Sequence, residues 1–376
     1  MLQDTDLDAA VAAGIVSEAQ ASSLRELARR RERERAIDLG HEERFRFMRG
    51  FNDVFFSIGI ILFVGGFWYF MLHFAIMAAV VWALAELLVG RMRLVLPGIL
   101  LAAAFVVFVF AASIQLPVET WLGMQIRPRM PKAISMLQAL QYYPGGPLMF
   151  AARALVAAGA AAVFYWRFKL PFALLPLAAS LVVAAMGLAA SAIPQTVAFS
   201  DAIVLLLCGL GVFAAAMVFD ASDRERLTRR ADCAFWLHLL AAPLTVHSVI
   251  WLLVLSPLAG DVGRAAGPLT PDMNAVLALA VMLIVAVLAV VAVLIDRRAL
   301  LVSGLAYLGG AIGYALTSAK GGSLPSDQAF VFAATLVILG AFVLTLGAGW
   351  VPLRRRLLAL LSPAIANRLP PVPVRP

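Results

Sequence analysis

Residues Ala275–Ile295 read AVLALAVMLIVAVLAVVAVLI, an unbroken run of twenty-one Ala, Val, Leu, Ile or Met residues. A helix rises about 1.5 Å per residue, so this run covers the roughly 30 Å hydrocarbon core of a bilayer. The rest of the chain agrees, because 63% of its 376 residues are hydrophobic and only 14% are charged. A soluble domain averages about half apolar and a quarter charged residues. The composition therefore excludes an ordinary water-soluble enzyme and indicates a polytopic membrane protein.

Similar apolar stretches on both sides of this run predict an all-α, polytopic transmembrane helix bundle of about ten spans. Continuous apolar runs favour helices over barrel strands, which show about ten residues of alternating polarity. The predicted spans cover about 54–72, 74–90, 94–116, 148–166, 170–192, 201–219, 233–256, 274–295, 299–317 and 329–351. Only His73 separates the first two, so one long bent span over 54–90 is an open alternative that lowers the count to nine.

The basic residues test this arrangement, because Lys and Arg near span ends are retained in the cytoplasm. Of the thirty Lys and Arg residues, twenty-four fall on one side of ten spans, five fall on the other side, and Arg153 lies inside a span. This asymmetry predicts an even number of spans and cytoplasmic N- and C-termini. The net charge of +8 therefore indicates topology and contact with anionic lipid headgroups, not binding to nucleic acid.

The spans divide the chain into three parts: a cytosolic helical module and basic juxtamembrane segment at 1–50, the bundle at 51–353, and a basic, Pro-rich cytosolic tail at 354–376. In the module, Gly14 ends a first helix, and Ser17 with Gln20 forms a capping box that opens a second. We expect a small α-hairpin in which Ala21, Leu24 and Leu27 pack on Leu7, Val11 and Ile15. The polar first fifty residues predict no cleavable signal peptide.

Two basic clusters are candidate contacts for anionic lipid or for a protein partner. They comprise Arg29, Arg30, Arg31, Arg33 and Arg35 in the module, and Arg354, Arg355 and Arg356 after the last span. The alternative for the first cluster is a solvated helix surface stiffened by pairs such as Glu26 with Arg30. The outer loop at 117–147 predicts a further short helix, either lying on the outer leaflet or acting as a lid.

Ionisable groups within spans are costly and are therefore candidate sites. The predicted spans hold Glu86, Arg153, His238 and His247. Glu86 is read either as a proton or cation site or as an interfacial ion pair with Arg91 and Arg93, and Arg153 either as an anion site or as a snorkelling or hydrogen-bonded side chain. The two histidines are nine residues apart, half a turn out of phase, so they cannot chelate one ion. Pro243 lies between them and predicts a kink.

No catalytic motif is present, and we expect no enzymatic activity, no cofactor and no metal site. The sequence lacks a His-Glu-x-x-His helix, a Gly-x-Ser-x-Gly elbow and a Walker loop, which would each place reactive groups at fixed spacing. Two functions follow as hypotheses. One is a non-catalytic structural, regulatory or assembly role in which the module at 1–50 binds a protein partner, and the other is a transporter or permease for a small or amphipathic solute.

The order of motifs at the N-terminus carries one resemblance. Asp6-Leu7-Asp8, then Gly14-Ile15-Val16-Ser17-Glu18-Ala19-Gln20, then Gly50-Phe51-Asn52-Asp53 ahead of many spans, resembles bacterial polytopic inner-membrane proteins of unknown function with a short N-terminal helical module. The resemblance is clearest over residues 6–75. It implies a multi-pass protein of the bacterial inner membrane, and it implies no activity and no site residues.

Overall fold

The computed structural model describes residues 4–27, 30, 51–70, 73–116, 136–193, 200–223, 228–254, 275–318, 328–362 and 369, and every regular element in these ranges is helical. The helices are α1 Asp4–Ala12, α2 at 18–27, α3 Phe51–Phe70, α4 Phe74–Ala85, α5 Leu96–Gln115, α6 Met136–Gln141, α7 Gly146–Phe168, α8 Leu174–Ala192, α9 Ser200–Ser222, α10 Arg229–Val254, α11 Ala275–Ile295, α12 Ala299–Ser318, α13 Gln328–Ala348 and α14 Trp350–Ala359. A π-helical turn, Glu86–Arg91, extends α4, and a 3-10 turn, Pro171–Ala173, precedes α8.

Eight helical segments in the described ranges are long and apolar enough to cross a membrane. They are Phe74–Arg91, Leu96–Gln115, Gly146–Phe168, Pro171–Ala192, Asp201–Ser222, Arg229–Leu252, Ala278–Ile295 and Ala329–Ala348. The protein is therefore a multi-pass integral membrane protein with an all-helical fold. The other two predicted spans coincide with α3 and α12, which are helices of 20 residues each.

Two separate helices, α3 and α4, cover the predicted spans at 54–72 and 74–90. The first helix ends at Phe70 and the second begins at Phe74. His73 between them has an extended backbone, with φ −102° and ψ 104°. An extended residue interrupts the helical hydrogen-bond ladder, so the chain can reverse its direction at this point.

Contacts between helix ends show that α4, α7, α9 and α11 end on one side of the bundle and that α5 ends on the other. At one end they join Glu86 to Arg167, Asp220 to Arg297 and Asp296 to Arg354. At the opposite end they join Phe74 to Gln115, Leu116 to Arg153 and Leu137 to Asp201. The first of these is called the basic end, because it carries the exposed side chains of Arg91, Arg93, Arg167, Lys169, Arg229, Arg230, Arg298, Arg355 and Arg356.

Two kinds of packing hold the bundle together. In the first half, the rings of Trp82, Phe105, Phe164 and Phe168 form a connected cluster with centroids 4.6 to 6.0 Å apart. In the second half, aliphatic side chains of α10, α11 and α12 fill the core. A Cβ added to Gly209 of α9 would lie 2.8 Å from Cγ2 of Thr245, so α9 and α10 approach closely because that position has no side chain.

The N-terminal module shows the predicted capping box, but its hydrophobic packing is smaller than expected. The backbone N–H of Gln20 donates to Oγ of Ser17 at 3.3 Å, and the N–H of Ser17 donates to Oε1 of Gln20 at 2.9 Å. Leu7 and Ala21 are buried, and Asp8 of α1 pairs with Arg25. The expected packing of Ile15, Leu24 and Leu27 is wrong, because all three are exposed. The apolar residues are too few to cover one another.

The short helix α6 lies within the loop at 117–147, and it packs on the bundle and does not present its apolar face to the leaflet. Leu137 and Leu140 are buried against Met186 and Ala190 of α8. The side-chain amide of Gln141 donates to the carbonyl of Ala190. The first half of this loop and Pro131 lie outside the described residues.

Candidate functional site

The main polar site is a buried ionic cluster at the basic end, centred on Asp220. Asp220 lies in the last turn of α9 and is 6% exposed. Nε2 of His238, on α10, lies 2.9 Å from Oδ2 of Asp220. His238 has no exposed surface and packs edge-on against the ring of Phe213, with centroids 5.3 Å apart. A histidine of the candidate spans is therefore bound to a carboxylate that the sequence analysis missed.

Arg297 completes this cluster from the turn between α11 and α12. Its guanidinium donates to both carboxylate oxygens of Asp220, through Nη2 to Oδ1 and through Nε to Oδ2 at 3.2 Å. Nη2 also donates to the carbonyl of Ala231 at 3.1 Å. Two-point contacts of this kind are among the strongest hydrogen bonds in proteins. They join the ends of α9, α10 and the turn after α11.

The backbone before Arg297 explains how two adjacent side chains reach different partners. The N–H of Arg297 donates to the carbonyl of Ala292, and the N–H of Asp296 donates to the carbonyl of Val293. This is the Schellman pattern at a helix C-terminus. Asp296 occupies its left-handed position, with φ 58°, where glycine is the usual residue. The turn sends the side chains of Asp296 and Arg297 to separate neighbours.

Asp296 forms a second buried cluster with α14. Nε1 of Trp350 donates to Oδ1 of Asp296 at 2.6 Å, and Nη1 of Arg354 lies 3.6 Å from Oδ2. Arg354 is 1% exposed and Trp350 is 3% exposed. Burial lowers the pKa of the Arg354 guanidinium, and the carboxylate of Asp296 acts in the opposite direction. The guanidinium of Arg298 lies over the ring of Trp350, 5.3 Å from its centroid.

The arrangement pairs every buried charge of the two clusters with an opposite charge. A buried charge without a partner is strongly unfavourable, whereas a paired and hydrogen-bonded one is tolerated. The structure satisfies this with Asp220 beside Arg297 and Asp296 beside Arg354. The two pairs start from consecutive residues, so a single turn of chain links four helix ends.

Glu86 is an ion pair at the basic end, but its partner differs from the predicted ones. Nη2 of Arg167, on α7, donates to Oε2 of Glu86 at 2.6 Å. The expectation of a contact with Arg91 or Arg93 is wrong, because α7 supplies the cation that binds this carboxylate. The side chains of Glu86 and Arg167 are 35% and 48% exposed, so water screens this pair.

Arg153 is buried at the opposite end and is held by oxygen acceptors. Its Nη1 donates to the hydroxyl of Tyr143 at 2.8 Å, and its Nη2 donates to the carbonyl of Leu116 at 3.2 Å. The guanidinium also lies 5.6 Å from the centroid of the Tyr143 ring. These contacts join three helix ends, which fits the hydrogen-bonding interpretation of this residue.

His247 lies apart from His238 and contacts a different helix. Its Nδ1 is 2.5 Å from the hydroxyl of Tyr307 on α12, and its ring packs edge-on near Trp251. Thr245, which lies between the two histidines, donates to the carbonyl of Ala241, and Ser248, which follows His247, donates to that of Leu244. These hydroxyls donate to backbone carbonyls near Pro243. Helix α10 continues through Pro243 from Arg229 to Val254.

The four predicted intramembrane residues therefore lie at separate places, and the main cluster is built largely from others. Asp220 was missed because the predicted span ended at residue 219, whereas the candidate span is Asp201–Ser222. Asp296 and Arg354 were placed in a loop and in a surface-exposed tail. Counting the acidic residues on the basic side would have marked both aspartates as partners for arginines.

The predicted contact residues behave differently from one another. Arg354 is buried on Asp296, so its side chain is not available to a lipid or a protein partner. Arg355 and Arg356 are exposed. Arg30 is exposed beside Glu26, with Nε 3.5 Å from Oε1. Arg29, Arg31, Arg33 and Arg35 lie outside the described residues.

Across the described residues, no group of three or more His, Cys, Asp or Glu side chains is arranged to hold a metal ion. Asp220 and His238 supply two such groups, and the third member of their cluster is a cation. No protein-family model, curated protein or solved structure matches the chain. The function must therefore be argued from the geometry.

Proposed function

We propose that this protein has a non-catalytic structural, regulatory or assembly role in the bacterial inner membrane. The observation that supports the proposal is the closure of the Asp220 cluster. His238 has no exposed surface, and Asp220 and Arg297 are 6% and 3% exposed. A catalytic or ion-coupling group must exchange protons or ions with water or substrate, whereas these groups bind one another and join helix ends.

The proposed topology has ten spans, with α3 and α12 crossing the membrane beside the eight candidate segments. The basic end then faces the cytoplasm, because exposed cations gather there and basic residues are retained on that side. Both termini are cytoplasmic in this arrangement. The bacterial inner membrane follows from the resemblance of residues 6–75.

The partner surface proposed for the N-terminal module is its exposed apolar side. Ile15, Leu24 and Leu27 are 76%, 44% and 48% exposed to solvent. Burying these side chains against a partner would stabilise the small module. Leu24 and Leu27 lie three residues apart on α2, on one side of the helix. A protein partner with a complementary apolar groove would bury them.

The experiment places a photo-crosslinking amino acid at Ile15 of the full-length protein in bacterial membranes. We expect one discrete adduct, which the double substitution Leu24→Asp and Leu27→Asp abolishes. The control substitution Ser22→Asp, on the same helix, exposed and not three or four residues from either leucine, should leave the adduct intact. Absence of an adduct, or equal loss in both variants, would contradict the proposal.

One observation favours a second candidate, a transporter or permease for a small or amphipathic solute. Asp220 and His238 lie within candidate spans, where ionisable groups often mark ion pathways. Uptake by proteoliposomes tests it. Accumulation above that of empty liposomes, abolished by Asp220→Asn under conditions in which that variant remains folded but retained in Glu86→Gln, would replace the first proposal with this one.

A further inference from the structure

The helix α14 has two chemically distinct sides. Trp350 and Arg354 are four residues apart and face the bundle, where both contact Asp296. Leu353, Arg356 and Leu360 follow the i, i+3, i+7 spacing of one helix face, and all three are exposed, Leu360 to 82%. Arg355 is also exposed. The outward side therefore combines leucines with arginines.

Contacts with Asp296 fix the level of α14 relative to the membrane. Asp296 directly follows Ile295, the last residue of a candidate span. Because Trp350 and Arg354 both reach this one carboxylate, α14 crosses from the end of α13 to the end of α11. A ten-residue helix held at the ends of two candidate spans lies where hydrocarbon gives way to headgroups.

The charges around α14 favour an anionic surface. Arg298, whose guanidinium lies over the Trp350 ring, is exposed beside it. The described carboxylates nearest these helix ends have partners of their own, because Glu86 pairs with Arg167 on α7 and the buried Asp220 and Asp296 pair with Arg297 and Arg354. Arg355 and Arg356 therefore present exposed positive charge on α14. Water alone would leave Leu353 and Leu360 uncovered, and a neutral surface would leave the arginines without counter-charge. The membrane interface supplies an apolar layer and phosphates together.

We propose that α14 is an interfacial helix that binds anionic phospholipid headgroups. Leu353 and Leu360 enter the boundary of the acyl chains, and Arg355 and Arg356 contact the phosphates. The buried pair of Arg354 with Asp296 orients the helix so that these side chains face the lipid. Three consecutive arginines thus have two roles, one holding the helix to the protein and two holding it to the membrane.

The test uses the full-length protein in nanodiscs, with Cys208→Ala, Cys233→Ala and Leu360→Cys, and an environment-sensitive fluorophore on the new thiol. The nanodiscs contain phosphatidylcholine alone or with phosphatidylglycerol. We expect a blue-shifted, stronger emission when phosphatidylglycerol is present, and we expect salt to reduce the difference. Arg355→Gln with Arg356→Gln should weaken the apparent affinity for phosphatidylglycerol about twenty-five-fold, from about fivefold for each arginine.

Two further variants separate lipid binding from misfolding. Arg355→Lys with Arg356→Lys preserves the charge and should keep the response. Arg229→Gln with Arg230→Gln removes two exposed cations at the same end that belong to α10 and not to α14, and should leave the probe unchanged. Equal emission in both nanodiscs would overturn the proposal and leave a protein partner as the occupant of this surface. An unchanged response in the glutamine variant would overturn it as well.

Discussion

Removing one charge from the Asp220 cluster should cost far more stability than removing one from the Glu86 pair. Asp220→Asn keeps the shape of the side chain but leaves the guanidinium of Arg297, 3% exposed, without its counter-charge. Breaking a buried ion pair in this way costs about 3–5 kcal/mol. The Glu86–Arg167 pair is 35% and 48% exposed, and Glu86→Gln should cost about 1 kcal/mol or less.

The assay is the free energy of unfolding in mixed detergent micelles, measured for a double-mutant cycle. Arg297→Met removes the cation and leaves Asp220 facing His238, so we expect a loss similar to that of Asp220→Asn. The double variant removes both the carboxylate of Asp220 and the guanidinium of Arg297. Its loss in the free energy of unfolding should be smaller than the sum of the two single losses by about 2 kcal/mol or more. This difference measures the coupling of the pair.

Two results would refute this reasoning. One is a loss in Asp220→Asn no greater than that in Glu86→Gln, which would mean that burial adds nothing to the pair. The other is simple additivity in the cycle, which would mean that Asp220 and Arg297 act independently. Glu86→Gln with Arg167→Gln serves as the matched control cycle, because it removes a pair at the same end of the bundle.

Three further outcomes are expected. Gly209→Ala places a Cβ 2.8 Å from Cγ2 of Thr245 and should lower the free energy of unfolding by about 1–3 kcal/mol. Gly211→Ala, which has no atom within 4 Å of the added Cβ, should leave the free energy of unfolding unchanged. A loss in both variants would contradict the packing argument. Asp296→Asn keeps a side-chain acceptor for Nε1 of Trp350, whereas Asp296→Gly removes it. Limited proteolysis should therefore release α14 faster in Asp296→Gly than in Asp296→Asn. We expect this order even though glycine adopts a φ of 58° more easily than asparagine. Cysteines introduced by Arg167→Cys and Arg229→Cys should react with an impermeant thiol reagent only from the cytoplasmic side, and one introduced by Ser191→Cys only from the opposite side.

Much of the bundle could be predicted because a bilayer acts on each segment separately. The run at Ala275–Ile295 forms α11 with the same bounds, since an apolar stretch of span length satisfies its own backbone hydrogen bonds wherever its neighbours lie. The capping box of Ser17 and Gln20 was likewise predictable, because its two partners are three residues apart. Local chemistry needs no knowledge of the fold.

The candidate site was predicted only in part because its residues are distant in the chain. Asp220 and Arg297 are 77 residues apart, and Asp296 and Trp350 are 54 apart. No periodicity relates them, and Asp220 lies so near the end of a span that hydropathy alone assigns it to the loop. The sequence does not distinguish Arg354, Arg355 and Arg356, yet the first is buried and the other two are exposed.

The class of protein, the positions of its apolar helices and the side of the bundle on which the cations gather follow from the amino-acid sequence, because hydrophobicity and charge act on each segment relative to the bilayer. Which charges are buried, and which partners they bind, follows from the packing of the helices. That outcome depends on the left-handed turn at Asp296, which points two adjacent side chains at different helices. The packing of the helix ends determines which charged side chains contact each other, and it brings polar residues that are distant in the chain into connected clusters.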